Sequence, residues 1–366
     1  MNTTAQLKEI ALVFFKLGCF AFGGPAAHIA MMEQEIVQKR KWFSQDHFLD
    51  LMGATNLIPG PNSTEMTMHC GHERGGWKGL FIAGICFIFP AVIITGILAY
   101  LYQQYGQLPQ VTSFTYGIKP AVIALILSAG YKLGKKAIKN YFLAVLGIFA
   151  LGAYLFGVSE IILLFSCGLI GILFYNFKKQ KVASIIPVFL LGSASTINVL
   201  LSFLKIGAIL YGSGYVLFAF LDAELIANNL LTKQQLIDAV AAGQFTPGPV
   251  LSTATFIGWQ LNSFWGAIAA TTGIFLPSFL FVLLLNPLIP KMRKSKTISS
   301  FLSAVNVASV TLIIGICIQM TKEIIVDWRT IIIALLSLIV VFGFKKISTM
   351  YLIIGGSLLG YLLTLV

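Results

Sequence analysis

The sequence predicts an all-α polytopic membrane protein built from two homologous halves, arranged as inverted-topology repeats with broken or re-entrant helices. Of its 366 residues, 57% are hydrophobic and only 10% are charged, against about 25% charged residues in soluble domains. A single pattern of glycine, proline and lysine occurs twice, and the basic loops change sides between the copies. We expect roughly 10–12 membrane segments, because each half contains two broken segments and about four continuous helices.

Continuous apolar runs predict the helices that cross the membrane. A spanning helix needs about 20 apolar residues. Runs near that length lie at 80–101, 120–131 with its flanks, 141–157, 159–177, 265–289, 299–320, 330–344 and 347–366. The first apolar run lacks a basic start and continues into a glycine break, so we expect it to belong to the fold and not to a cleaved signal peptide.

The repeat divides the chain into an N-terminal half, 1–181, a linker, 182–197, and a C-terminal half, 198–366. FFKLGCFAFGGP at 14–25 aligns with FLKIGAILYGSG at 203–214. After a gap, IPGP at 58–61 aligns with TPGP at 246–249. Each half therefore contains one helix broken at GGP or GSG and one segment broken at PGP, followed by about four continuous helices.

The basic loops favour an inverted relation between the halves. Lys and Arg cluster at 39–41 and 72–78 in the first half, whereas the aligned loops at 223–231 and 259–264 contain neither. Basic loops of the second half occupy other positions, at 291–296 and 345–346. If each PGP segment enters and returns on one side, the positive-inside rule requires opposite orientations. A basic vestibule that attracts an anion is compatible with the net charge of +12.

The glycine and proline breaks are the predicted binding site. Proline removes a helical amide donor, and a broken helix survives in lipid only beside protein or a water-filled cavity. Freed helix N-termini suit an anion, and paired breaks in duplicated halves are typical of secondary transporters. The alternative is that these residues only kink or pack helices. The predicted substrate-binding residues of the breaks are Gly23, Gly24, Pro25, Pro59, Gly60, Pro61, Gly212, Ser213, Gly214, Pro247, Gly248 and Pro249.

Two lysines occupy equivalent positions inside apolar runs. Lys16 and Lys205 each lie seven residues before the first glycine of a break. An ammonium at mid-bilayer costs about 2.5–3.5 kcal/mol, so we expect both to supply positive charge to the anion. The alternatives are snorkelling to an interface or pairing with an internal carboxylate.

The first PGP segment is the more polar of the two. It reads PGPNSTEM, whereas the second reads PGPVLSTA. We expect Asn62, Ser63, Thr64 and Ser252 to donate hydrogen bonds to the substrate. Glu65 and His28 are the candidates for proton coupling; the alternatives are a structural ion pair for Glu65 and a backbone hydrogen bond for His28.

Enzyme and metal signatures are missing from the sequence. No nucleotide-binding loop or hydrolase motif is present, so we expect a transporter that uses an ion gradient or the membrane potential, with no cofactor. His69 and His72 resemble a metal-binding pair, but no second cluster completes a ligand set, so no metal is predicted. The five cysteines are scattered through apolar segments and form no disulfide framework.

These motifs resemble the CHR family of chromate ion transporters, in its two-domain, long-chain form. The first half carries the resemblance in FGGPAAH (22–28), KWFSQDHFLDLMGATNLIPGPNSTEM (41–66) and GHERGGWKGLFIAGICFIFP (71–90). The second half carries it in FLKIGAILYGSGYVL (203–217), LLTKQQLIDAVAAGQFTPGPV (230–250) and GIFLP (273–277). The resemblance covers nearly the whole chain. It extends to Gly23, Gly24, Pro25, His28, Pro59, Gly60, Pro61, Asn62, Ser63, Arg74, Gly75 and Gly76.

The resemblance implies efflux of chromate, and hence chromate resistance, in a prokaryotic inner membrane. Sulfate is a tetrahedral dianion of the same shape, so an exporter or importer of another oxyanion stays an alternative, as does an anion channel; an intramembrane enzyme is the least favoured class. The expected partners are the oxyanion and the lipid bilayer, without nucleic acid, and a homodimer is left open. Ser213 and Gly214 replace the second glycine and the proline of GGP, so the halves are expected to contribute unequally.

Overall fold

The computed structural model describes residues 3–22, 24–106, 108–176, 195–211, 214–289, 292, 295–344 and 349–365, which are helical or connect helices. The α-helices of the first half are α1 (Thr3–Phe20), α2 (Pro25–Met32), α3 (Gln45–Thr55), α4 (Asn62–Tyr105), α5 (Pro109–Ala137), α6 (Tyr141–Leu155) and α7 (Glu160–Asn176). Those of the second half are α8 (Thr196–Ile209), α9 (Leu217–Leu221), α10 (Lys233–Phe245), α11 (Thr253–Leu285), α12 (Lys296–Ile324), α13 (Trp328–Gly343) and α14 (Thr349–Thr364).

The all-helical fold and four of the eight predicted membrane helices are confirmed. The described residues of the other four runs form shorter apolar helices, at 141–155, 160–174, 328–343 and 349–364. Within the described part of the chain, four helical segments are long and apolar enough to cross a membrane: Asn62–Tyr105, Thr115–Ala137, Val250–Leu288 and Lys296–Ile324. The boundaries of the two halves stay predictions, and most of the predicted linker lies outside the described residues.

The first broken helix doubles back on itself. After α1, Gly24 has a φ of 79° and Pro25 begins α2, which continues as a π-helical stretch, Glu33–Lys39. Glycine adopts this left-handed backbone without strain, and proline suits the first turn of the new helix. The Arg40 guanidinium donates to Glu9 Oε1 over 3.0 Å. The sequence predicts one interrupted helix; the structure shows two arms whose outer ends lie together.

The PGP segment of the first half also enters and returns. α3 leads inward to the PGP turn, and α4 leads back out. His47 at the start of α3 lies 3.2 Å from Glu73, so both outer ends of this hairpin meet. α4 then reverses at Gly75 and Gly76, which have non-helical backbone angles. This second reversal divides α4 into a short arm, 62–74, and a long arm, 77–105.

Glycines allow the two arms of α4 to pack closely. A Cβ on Gly71 would overlap the carbonyl oxygen of Gly79 and vice versa. In the second half, α11 reverses at Asn262 and Ser263, and Gly258 and Gly266 make the equivalent contact. α11 thus has a short arm, 253–261, and a long arm, 264–285.

The two halves have inverted topology, as predicted. We call the group of Glu9, Arg40, His47 and Glu73 the first end of the molecule. The long arm of α4 leaves this end and rises about 40 Å over its length, where Gln103 accepts a hydrogen bond from Trp259 Nε1 over 2.8 Å. The second half starts beside this contact, because the Asn262 amide donates to Thr196 Oγ1 over 2.6 Å.

The long arm of α11 runs in the opposite direction. We call the group of Gln103, Thr196, Trp259 and Asn262 the second end. From there the long arm of α11 returns to the first end, where Asn286 lies 2.9 Å from His72 Nδ1. The re-entrant hairpins of the two halves therefore enter from opposite ends and meet with their tips inside. This arrangement is the one expected of inverted repeats in transporters.

The remaining helices support this central crossing. α1 packs on the long arm of α4 through Gly18, and α8 packs on the long arm of α11 through Gly207. A Cβ on Gly18 would lie 2.6 Å from the Phe87 carbonyl oxygen, and one on Gly207 would lie 2.5 Å from that of Ile274. α12 packs on α5, α6 and α7, while α13 and α14 pack on α5.

Candidate functional site

Each PGP turn is hydrogen-bonded to the broken helix of the opposite half. Gly60 N donates to the carbonyl oxygen of Leu210, just after α8, over 2.7 Å. Gly248 N donates to the carbonyl oxygen of Ala21, just after α1, over 2.9 Å. The repeat aligns Ala21 with Leu210 and Gly60 with Gly248, so the two bonds are symmetric copies. Gly214, at the end of the second break, also lies against Val250 beside the second turn. The two PGP turns and the described flanks of both broken helices are therefore close together at one crossing in the interior.

The glycines of the two turns have backbone angles and close contacts that exclude a side chain. Gly60 has a φ of 141° and Gly248 a φ of 87°, where other residues are strained. A Cβ on Gly60 would overlap Glu65 Oε1 and approach Ser278 Oγ. A Cβ on Gly248 would lie 3.0 Å from that of Ala91, the counterpart of Ser278. The flanking prolines Pro59, Pro61, Pro247 and Pro249 complete these turns.

Polar groups around the first turn are buried and lack protein partners. Ser63 is 2% exposed, and Thr64 and Glu65 are fully buried. Four of the buried polar atoms make no hydrogen bond to a described residue: Thr64 Oγ1, both carboxylate oxygens of Glu65, and Ser278 Oγ. Buried polar atoms are nearly always hydrogen-bonded in folded proteins, so these atoms are available to a ligand. The Asn62 amide instead donates to Asn56 Oδ1 over 3.0 Å.

Three hydroxyl groups cluster beside the second turn. Thr95 Oγ1 lies 3.3 Å from Thr246 Oγ1 and 3.1 Å from Ser252 Oγ. Thr95 belongs to the long arm of α4, whereas the other two flank the PGP turn of the second half. Ser252 was predicted from the sequence. Thr95, Thr246 and Ser278 were not, although Thr246 directly precedes PGP and Ser278 directly follows the repeated Pro277.

The two predicted lysines lie beside carboxylates. Lys205 Nζ forms a 2.6 Å ion pair with Glu224 Oε2, which links α8 to the arm that follows its break. In the first half, Lys16 is exposed and interacts electrostatically with the buried Glu35. Glu35 also pairs with Lys39 and Arg40, over 3.1 and 3.4 Å. The carboxylate-pairing alternative thus describes the contacts of Lys205.

His28 lies against the first break. Its ring is 1% exposed and stands edge-on to Phe87, with centroids 5.7 Å apart. The ring also hydrogen-bonds the backbone of Ala21, while Nδ1 has no partner among the described residues. These contacts match the backbone-bonding alternative for His28. Gly214 begins a 3₁₀ turn after the second break, whereas Gly23, Gly212 and Ser213 lie outside the described residues.

A separate cavity of about 500 Å³ lies toward the second end. Its walls come from α4, α5, α10, α11 and α14 and are mainly apolar; they include Phe245 and Phe256. Asp238 is the charged residue in its wall, and its carboxylate is already bonded to Tyr102 Oη at 2.7 Å and Lys119 Nζ at 3.4 Å. An apolar cavity with a carboxylate does not suit a dianion. Among the described residues, no three His, Cys, Asp or Glu side chains group as metal ligands.

Comparison with known proteins identifies the family. The sequence model of the family described as "Chromate transporter" matches residues 8–172 and again residues 197–361. A chromate transport protein of Cupriavidus metallidurans is 30% identical, over 98% of this chain and 93% of the relative. A probable chromate transport protein of Synechococcus elongatus is also 30% identical, over 91% and 89%. An uncharacterized transporter of Methanocaldococcus jannaschii is 26% identical, over 97% and 94%.

No solved structure is significantly similar to the chain. The two family matches coincide with the two inverted halves, and the relatives are named as transporters and not as enzymes. The chain belongs to the chromate transporter family.

Proposed function

We propose that the protein is a secondary transporter that binds a tetrahedral oxyanion, chromate in the first place, between its two PGP turns. The observation that carries the proposal is the pair of crossed hydrogen bonds from Gly60 and Gly248. They hold each PGP turn against the broken helix of the other half in the interior, which is where inverted-repeat transporters bind their substrates. The relatives from Cupriavidus metallidurans and Pseudomonas aeruginosa are named chromate transport proteins, which favours chromate as the cargo.

The chemistry of the crossing suits an oxyanion. Ser63, Thr64 and Ser278 at the first turn, and the Thr95 cluster at the second, provide hydroxyl donors to anion oxygens. The N-terminus of α4 adds its positive dipole end. In this proposal Lys16 and Lys205 act indirectly, because they stabilise the two broken helices whose carbonyl groups accept the hydrogen bonds of the turns.

Movement of the substrate follows from the inverted geometry. The hairpins of the first half lead to the first end, and those of the second half lead to the second end. Rocking of one half against the other therefore exposes the crossing to each side in turn. The basic loops at 39–41 and 72–78 lie at the first end, which we assign to the cytoplasm of a prokaryotic inner membrane. A proton gradient or the membrane potential supplies the energy.

Glu65 is the proposed coupling group. An ionised carboxylate without partners is strongly disfavoured in the protein interior, and one beside an anion is disfavoured further. Proton binding at Glu65 would therefore accompany anion binding. The alternative, a structural ion pair of Glu65, has no support in its contacts, because neither carboxylate oxygen bonds to a described residue.

Flux into proteoliposomes tests the proposal. We expect saturable chromate flux that rises when a pH gradient is imposed, with sulfate as the competing oxyanion. Binding without flux would contradict a transporter, and flux that increases linearly with concentration would indicate a channel.

Substitution of Glu65 tests the coupling. Glu65→Gln is expected to remove the dependence on the pH gradient, whereas Glu33→Gln, at the first end where it bonds Gln45, is the matched control and should retain it. Full pH-gradient dependence in Glu65→Gln would exclude Glu65 from coupling.

A further inference from the structure

We propose that the short arm of α4 carries a proton pathway, Glu65–His69–His72, from the crossing of the PGP turns to the first end. The pathway rests on the proposed function, because it assumes that transport is coupled to protons at Glu65. It adds two histidines that have no role in anion binding.

The spacing of the three residues places them along one side of the arm. Positions i, i+4 and i+7 lie on one face of an α-helix. They rise about 6 Å from Glu65 to His69 and about 4.5 Å from His69 to His72. Side chains three and four residues apart on a helix are neighbours, so a side-chain rotation or one bridging water can join each pair. The row therefore connects the buried turn with the surface.

Burial distinguishes this row from an ordinary helix face. Glu65 and His69 are both fully buried. Neither ring nitrogen of His69 makes a hydrogen bond of good geometry to a described residue. A buried polar group without partners destabilises the fold by about 1–3 kcal/mol, and an apolar side chain would fill the same space without that cost. A role in proton transfer explains why an imidazole occupies this position.

The groups around the row lead toward the first end. Tyr211 and Ser278 face Glu65 from the second half. Asn286, at the end of the long arm of α11, lies 2.9 Å from His72 Nδ1 and also faces the His69 ring. Beyond His72, Glu73 bonds His47 at 3.2 Å and is exposed. Asn286 thus contacts His72 and lies beside the His69 ring at the outer end of the row.

The second half has no equivalent row. The residue aligned with Glu65 is Thr253, the position of His69 falls on Phe256 or Ile257 at the alignment gap, and that of His72 is Trp259. None of these side chains exchanges protons near neutral pH. In this proposal protons reach the crossing along the row from the first end, and directly through the open site when the crossing faces the second end.

One proton moves along the row from Glu65 to water at the first end. Glu65 releases the proton of its carboxyl group to one ring nitrogen of His69, which becomes an imidazolium. The other ring nitrogen releases a proton toward His72, which passes it to water at the first end. Glu65 is left as a carboxylate, both histidines return to their neutral forms, and one proton has crossed the short arm.

Two chromate assays in proteoliposomes separate proton transfer from anion binding. Exchange of labelled chromate for unlabelled chromate needs no net proton movement, whereas net flux driven by a pH gradient does; an internal pH dye records the protons. We expect His69→Phe and His69→Gln to lower net, proton-coupled flux about a hundredfold, the low end for loss of a proton-transfer group. Exchange should stay within about twofold, because residues of the crossing are unchanged and mutations at sites without shared partners act independently.

Met68→Leu is the control variant for the His69 substitutions. It changes a buried neighbour at nearly constant volume and should leave both assays unchanged. If His69→Phe does not fold, as judged by thermal unfolding, His69→Gln decides. Wild-type coupling in the His69 variants, or equal loss of exchange and net flux, would overturn the pathway. Chromate flux without proton movement in the wild type would instead overturn the proposed coupling at Glu65.

Discussion

At the scale of single residues, the crossing depends on glycine at two positions. Gly60 and Gly248 have positive φ angles and donate the crossed hydrogen bonds. Gly60 is the tighter of the two, because a Cβ there would meet Glu65 and Ser278, whereas at Gly248 it would meet Ala91. The polar environment of the first turn is therefore the more sensitive to substitution.

Gly60→Ala is expected to reduce chromate flux by at least an order of magnitude and to destabilise the protein by about 1–3 kcal/mol, the cost of one strained backbone position. The physical reasons are the positive φ and the overlap of the new Cβ with Glu65. Flux in proteoliposomes and thermal unfolding in detergent measure the two effects. Gly152→Ala is the matched control, because a Cβ at Gly152 in α6 meets nothing within 4 Å. Equal behaviour of the two variants would contradict the prediction.

The sequence predicts the residues of the turns but not all the side chains that face them. The glycines, prolines, Ser63, Thr64 and Glu65 are local to the breaks, so the repeated pattern identifies them. Ser278 and Thr95 lie far along the long arms. Their place at the crossing depends on which long arm packs against which turn. Only the tertiary structure determines that packing.

At the scale of elements, the broken helices are hairpins held by ion pairs. Lys205 on α8 pairs with Glu224 on the returning arm at 2.6 Å. The sequence identifies Lys205 as an unusual charge in an apolar run, but its spacing to the break suggests an anion contact. Because the interrupted helix doubles back, a carboxylate 19 residues later reaches the lysine instead. The sequence pattern predicts where the helix is broken, but it does not predict the direction of the chain after the break.

Charge reversal distinguishes the two roles of Lys205. Lys205→Glu is expected to destabilise the protein by about 1–3 kcal/mol, between the values for exposed and buried pairs, and to reduce flux. The double variant Lys205→Glu, Glu224→Lys should recover most of the stability and flux, because it restores the pair. Thermal unfolding and chromate flux are the measurements. Recovery of stability without any recovery of flux would show that Lys205 itself contacts the substrate.

At the scale of the whole molecule, inversion is what turns a buried site into a transport site. The two long arms run in opposite directions past the crossing, from Gly79 to Gln103 in α4 and from Gly266 to Leu285 in α11. Each PGP turn of one half is packed on the long arm of the other half. Gly60 lies against Ser278, and Thr95 bonds Thr246 and Ser252. The reversed charge bias predicts this arrangement from sequence because charge location reports the side of the membrane.

The inverted arrangement predicts that equivalent positions of the two halves face opposite sides of the membrane. Asp46, at the start of α3, and Gln234, at the start of α10, are aligned by the repeat and are both exposed. After the five native cysteines are replaced, we expect a membrane-impermeant thiol reagent to label Gln234→Cys in intact cells and Asp46→Cys only after permeabilisation. Gln104→Cys, at the end of the long arm of α4, is the control that should behave as Gln234→Cys does. Parallel repeats would give the same labelling for positions 46 and 234, and that result would contradict the inverted fold, the cytoplasmic first end and the one-sided proton pathway together.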